Sequence, residues 1–166
     1  MLGWLVRIAH VVAIKPRPVF QTSWVQVPAQ DAALDDGDAT GIVFQFLVPI
    51  SGTLQSASVL DTADQGNQLD VELCSGRFAG AAADAQFKLT DVEARYHIYR
   101  LQFATYADHE DNQTSDLENI GKAYKVPPFE EDSKWGWMWG QGIASGTPTY
   151  AAGSKPYLRV EIYPDE

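Results

Sequence analysis

The chain has 166 residues, 45% hydrophobic and 20% charged, an apolar content that excludes wholesale disorder. One domain of this length removes roughly 70% of its extended surface from water, so a core forms without disulfide or metal staples. The lone Cys74 supplies neither an intrachain bridge nor a structural zinc set, and a net charge of −10 argues against nucleic acid and membrane surfaces as partners.

The charge is unevenly placed. Residues 1–30 carry Arg7, Lys15 and Arg17 with no acid, a net of +3, and the remainder carries −13. Met1 to Ile14 is mostly apolar, but Arg7 and His10 interrupt it and no basic stretch precedes it, so neither a secretory signal nor a span of about 20 apolar residues is expected. Lys15-Pro16-Arg17-Pro18 blocks helix continuation and favours extended backbone. Residues 1–19 therefore read as an N-terminal arm, and residues 20–166 as a single domain. Trp4, Val6, Ile8, Val12, Ile14 and Arg17 are its candidate partner-binding residues, because such a surface is exposed on a lone subunit.

From Phe20 onward, short apolar runs are cut by turn residues, the pattern of an all-β antiparallel sandwich, jelly-roll-like, with about nine strands. Phe20 to Val27 alternates and stops at Pro28. Gln30 to Thr40 reads as a solvated acidic loop. Gly41 to Val48 is nearly continuous in apolar residues, as for a strand covered on both faces. Thr53 to Leu60 alternates without revealing which face is buried. Leu69, Val71 and Leu73 alternate with Asp70, Glu72 and Cys74, predicting a half-buried strand.

Gly76 to Asp84 reads as a loop with Phe78 tucked inward. Strands are expected at Gln86 to Leu89 and Tyr96 to Ala104. Tyr106 to Asn119 reads as a long exposed loop, with a possible helical turn at Ser115 to Glu118. Further strands are expected at Ile120 to Val126, Trp137 to Ile143, Pro148 to Tyr150 and Tyr157 to Tyr163. No run has the length and 3.6 period of a substantial helix, which disfavours α/β folds.

Catalytic signals are sparse. His10, His97 and His109 lie in three different settings, and no nucleophile stands beside a base locally. Gly140-Gln-Gly142-Ile-Ala-Ser145 lacks the third glycine and the helix of a dinucleotide loop. Asp61, Asp64 and Asp70 are weak candidates for Ca²⁺ ligands, although the spacing misses the EF-hand pattern and a polar turn explains the same residues. No cofactor is expected.

The most unusual segment is Lys134-Trp135-Gly136-Trp137-Met138-Trp139-Gly140. On a strand its three indoles share one face at about 6.6 Å spacing. Three readings stand open: a row in the sandwich core with the glycines outward, a subunit or partner interface, and a platform for sugar rings. Trp135, Trp137 and Trp139 are thus further candidate binding residues.

Two stretches carry a resemblance. Ser51-Gly-Thr-Leu-Gln-Ser-Ala-Ser-Val-Leu-Asp61-Thr-Ala-Asp64-Gln-Gly-Asn-Gln-Leu-Asp70-Val-Glu-Leu73 and Ser145-Gly-Thr-Pro-Thr-Tyr150, followed by Tyr157-Leu-Arg-Val-Glu-Ile162, together cover about a third of the chain. They are similar to virion structural proteins of tailed bacteriophages, in which a Gly-Thr-Leu-x-Ser strand, an Asp-x-x-Asp-Gln-Gly turn and a late Gly-Thr-Pro-Thr-Tyr motif recur in this order. The chain departs from that pattern at Ser145, where the family often has Arg, and in its Trp-rich segment and apolar arm.

The resemblance implies a non-enzymatic β-sandwich subunit made in the host cytoplasm. It would sit on the capsid exterior as a decoration or cement protein, with itself, as a homo-trimer or similar oligomer, and the major capsid protein as partners. A tail or fibre component that binds glycans is the alternative. No catalytic residue is implied.

Overall fold

The computed structural model describes residues 18–151 and 153–165. The arm reading of residues 1–17, including Trp4, Val6, Ile8, Val12, Ile14 and Arg17, lies outside the described residues. The rest is an all-β antiparallel sandwich. Its strands are β1 (Phe20–Gln21), β2 (Val25–Gln26), β3 (Phe44–Pro49), β4 (Ser51–Asp61), β5 (Leu69–Cys74), β6 (His97–Phe103), β7 (Ala107–Asp108), β8 (Gln113–Leu117), β9 (Lys122–Lys125), β10 (Trp135–Ala144) and β11 (Pro156–Pro164), with a single 3₁₀ turn at Glu93–Tyr96. These eleven strands exceed the expected nine because three are two-residue pieces.

The larger sheet runs β1-β11-β4-β8-β7, with β2 also on β11 and β9 also on β4; the smaller runs β3-β10-β5-β6. The chain passes between sheets at β2–β3, β3–β4, β4–β5, β6–β7, β9–β10 and β10–β11, as a jelly-roll-like path requires. Between the sheets, Leu54, Ala57, Val59, Leu158, Val160 and Ile162 meet Phe44, Phe46, Val48, Leu69, Val71, Leu73, Leu101, Phe103 and Met138 in one core.

The ambiguous faces of β4 have a simple cause. Ser56 opposes Glu161 and Leu54 opposes Ile162, so Gln55 is an extra, bulged residue. The bulge inverts the alternation, which puts Leu54 inward before it and Ala57 and Val59 inward after it.

Several expectations are corrected. β3 is not covered on both faces: Phe44, Phe46 and Val48 are buried, whereas Gln45 and Leu47 are exposed. β5 is not half-buried, because all six residues are buried. The acidic stretch Gln30 to Thr40 is anchored by buried Leu34, Ala39 and Thr40 rather than solvated throughout. Tyr106 to Asn119 contains β7 and β8 instead of a continuous loop, and Ser115 to Leu117 is strand rather than helical turn. Polarity concealed β8, in which only Ser115 is buried. Gln86 to Leu89 and Pro148 to Tyr150 make single bridges, Asp38 with Gln86 and Ala33 with Thr149, and form no strands. Phe78 is buried as expected.

Candidate interaction surface

The outward face of the smaller sheet gathers most of the candidate residues. Along β10, Gly136, Met138 and Gly140 point into the sandwich and Trp135, Trp137 and Trp139 point out. The core reading of the Trp row, with glycines outward, is therefore reversed. The reason is space: a Cβ on Gly136 would stand 2.2 Å from the Pro127 carbonyl oxygen, and one on Gly140 2.8 Å from the Phe44 ring. The inner side of β10 admits almost nothing there but Met138, so the large side chains go outward.

Pairing registers lay this outer face out in rows. Trp137 faces Leu47; Trp139 faces Gln45 on one side and Cys74 on the other; Gln141 faces Glu72, which faces Arg100; Ile143 faces Asp70, which faces Gln102. The face divides in two.

The half toward β5 is roofed by the segment between β5 and β6. Phe78 and Phe87 pack on Cys74 and Ile143, with Val43, Ala81, Leu89 and Trp139 around them. Gln141 fixes the roof: its side-chain amide donates to the Gly41 and Ala81 carbonyl oxygens at 2.7 Å each, and its Oε1 accepts from the Ala81 N–H at 3.0 Å. Gly80, at φ +68°, passes so close that a Cβ would lie 2.4 Å from that Oε1. Glu93 ties the far end by accepting from the N–H groups of Ala79 and Thr90 and the Thr90 hydroxyl. Those bonds to its ionised form hold its carboxyl below the ordinary carboxylate value.

Two acids lie under or beside this roof. Glu72, 1% exposed, accepts a 2.7 Å bond from Arg100 Nε through Oε2 and pairs with His97 Nδ1 through Oε1. Asp70 accepts from the amides of Gln68 and Gln102. Sequence reading did not find this cluster, because Glu72 and Arg100 are 28 positions apart and meet only through the register of β5 on β6.

Cys74 and His97 are also cross-strand neighbours, an arrangement worth testing against thiol catalysis. Burial first, then the charges of Glu72 and Glu93, push the Cys74 thiol up to about 12. A working nucleophile needs the reverse shift. With His97 Nδ1 engaged on Glu72, the cluster reads as a braced ion pair.

The half toward β3 is bare among the described residues. Trp135 and Trp137 are each 37% exposed and Leu47 38%. Phe20 extends this surface, its ring edge-on to Trp135 at 5.0 Å between centroids. At the boundary with the roof, the Arg77 guanidinium lies 5.8 Å from the Trp139 ring centre. There an open cleft of about 580 Å³ is lined by Ile42, Val43, Arg77, Phe78, Ala79 and Trp139. Exposed indoles beside a cation offer stacking area and few fixed polar groups, which suits a broad apolar partner.

Asp61, Asp64 and Asp70 do not form the cation site considered from sequence. Among the described residues no group of three or more His, Cys, Asp or Glu side chains is placed to hold a metal ion. Asp61 is buried and accepts from the N–H groups of Ala63 and Gln65 at 2.9 and 3.1 Å, the self-bonded polar turn that was its alternative. Asp64 takes the left-handed conformation that the turn requires, at φ 51°. Asp70 is engaged on the smaller sheet.

The turn at residues 61–66 and the stretch at 145–150 meet. Thr149 N–H donates to Gln65 Oε1 at 3.0 Å, and Tyr150 is buried with Leu34 and Ala144 against Ala29 and Ala63. Burial, then the neighbouring Asp61 and Tyr106, push the Tyr150 hydroxyl pKa upward. These residues act as turn and packing elements at one end of the sandwich.

No protein-family model matches the chain, and no curated protein is similar to it at a significant level. Among solved structures, a serine protease of Aeromonas sobria is similar at 14% identity and a TM-score of 0.35, over 90% of this chain. The chain spans 28% of that protein's length. A likeness at this level carries no argument about function.

Proposed function

We propose that the chain is a non-enzymatic structural subunit of a tailed-bacteriophage virion, a capsid decoration or cement protein that binds the head shell and further copies of itself on the capsid exterior. The observation that carries this reading is the bare aromatic half-face of Trp135, Trp137 and Leu47, adjacent to the point where the basic, apolar N-terminal segment joins the domain at Pro18 and Val19. A subunit that works by being covered needs such a face. A standard specific interface buries about 1,600 Å² in total, which this half-face and the segment together can approach.

Three further observations support it. The motifs shared with virion proteins serve here as turns and packing, the use expected of a building block. The single thiol is buried and held protonated, which speaks against thiol chemistry. The acidic body keeps free subunits apart and soluble until assembly.

The test is particle binding. Purified protein should co-sediment with heads that lack it, and deletion of residues 1–19 should abolish this while the far-UV circular dichroism stays that of a β-protein. Undiminished incorporation of the truncated chain would defeat the proposal. The outward Trp row also favours a second reading, a glycan-binding role in a tail or fibre. Quenching of Trp fluorescence by host polysaccharide, lost in Trp137→Ala with folding retained, would support that role over the first.

A further inference from the structure

The smaller sheet ends at β3, and β10 is the only strand paired with β3 among the described residues. Its outer edge therefore presents unpaired backbone groups, an invitation to another strand unless something covers it. Beside that edge a groove of about 310 Å³ is lined by Phe20, Thr22, Val25, Phe46, Leu47 and Trp135. The sandwich is thus open along one side, where the core residue Phe46 is reached between β3 and the β1–β2 segment.

The geometry points to an occupant: the N-terminal segment of a second copy, added to β3 as a further strand. Between Leu2 and Ile14, Trp4, Val6, Ile8, Val12 and Ile14 recur at a period of two, with only His10 breaking the row. A strand repeats every two residues, and Val and Ile are good strand formers. The row therefore sets bulky side chains on one strand face, against Gly3, Leu5, Arg7, Ala9, Val11 and Ala13 on the other, and the bulky face is suited to continue the Phe44, Phe46, Val48 face of β3 over the groove. Thirteen extended residues reach about 43 Å, against about 20 Å for the six of β3, so length is ample. The stretch carries Arg7, and its connector adds Lys15 and Arg17 with no acid, so segment and connector together are drawn to the −13 of residues 31–166 in a neighbour.

The donor is another copy because of how the chain enters the domain. It joins at Pro18 to Phe20, beside the groove itself. To lie along its own β3 it would have to reverse sharply within Lys15-Pro16-Arg17-Pro18, where both prolines favour extension. Reciprocal donation around a closed ring leaves no β3 edge open. This inference rests on the subunit reading above for its biological setting. Its test does not, because it is made on purified protein without particles.

The experiment is sedimentation equilibrium of the full-length chain and two full-length variants, each checked by circular dichroism and melting temperature. Gln45→Pro removes an edge donor on a strand position that tolerates proline, and Ile8→Asp spoils the apolar row. If Gln45→Pro does not fold, Leu47→Lys replaces it. The parent should be a closed oligomer, and each variant should dissociate about a hundredfold more readily with its fold unchanged, the effect of losing a central contact. Mixing Ala9→Cys and Leu47→Cys copies under oxidation should cross-link the two chains, with the buried Cys74 silent. A parent that stays monomeric at about 100 µM overturns the inference, as do variants that associate as the parent does. So does an Ala9→Cys, Leu47→Cys double variant that cross-links within single diluted chains. Failure of particle binding with oligomerisation intact would defeat the virion reading alone.

Discussion

The outer faces of the two sheets are built on different terms. On the larger sheet, Ser56, Ser58, Arg159 and Glu161 turn outward; Ser56 and Gln21 both donate to the Glu161 carboxylate, and the Arg159 guanidinium lies 4.5 Å from the Trp24 ring centre. On the smaller sheet the outer face is either roofed by the segment between β5 and β6 or left bare with indoles upon it. A polar face needs no further layer, whereas an apolar one must be covered. Among the described residues, cover is supplied for only half of the smaller sheet. What remains is the surface on which a partner gains most.

That contrast can be broken at adjacent residues. Met138→Ala, on the inner side of β10 and fully buried, should lower the unfolding free energy by about 3 kcal/mol, measured by urea denaturation. Arg100→Met leaves Glu72 buried with His97 as its one remaining ion-pair partner. Because Arg100 and His97 are themselves over 40% exposed, the loss should be about 2 kcal/mol, below that of a fully buried pair. Trp137→Ala, one position from Met138 but facing out, should cost only about 0.5–1 kcal/mol of stability and yet weaken particle binding by about 2 kcal/mol or more. Equal losses of stability at Met138 and Trp137 would erase the distinction between the two sides of the strand.

The smallest effect concerns the roof. The carboxyl pKa of Glu93 is depressed by bonds to its charged form, so the stabilisation it brings is present above the ordinary value of 4.5 and is lost as pH falls through the folded value. The amide signals of Ala79 and Thr90 in NMR spectra should shift in that acid window before the core amides of β4 do. Simultaneous shifts of roof and core would mean that the roof is not a separate unit.

Much of this was legible in the sequence, and the failures have definite causes. The alternation in Tyr157 to Tyr163 marks a strand correctly because period-two burial leaves a direct trace, and that in Leu69 to Cys74 does so because its apolar residues share one face although both faces are buried. β5 nevertheless reads as half-buried from sequence, since Glu72 and Asp70 look solvent-facing until Arg100, Gln102 and the roof are folded over them. The bulge at Gln55 cancelled the face signal of β4 over its own length. β8 carries no apolar row and owes its existence to its eleven-residue neighbour β4 rather than to itself. At the Trp row, spacing identified the shared face, but only the Pro127 carbonyl and Phe44 ring decide that this face is the outer one.

The bond between Thr149 and Gln65 has an evolutionary corollary. Two stretches some eighty positions apart meet at a bond in which Thr149 gives its backbone N–H and Gln65 its side-chain oxygen, so substitution can break the tie at Gln65 and at position 149 only by proline. Distant kin should therefore hold Gln65 more tightly than Thr149.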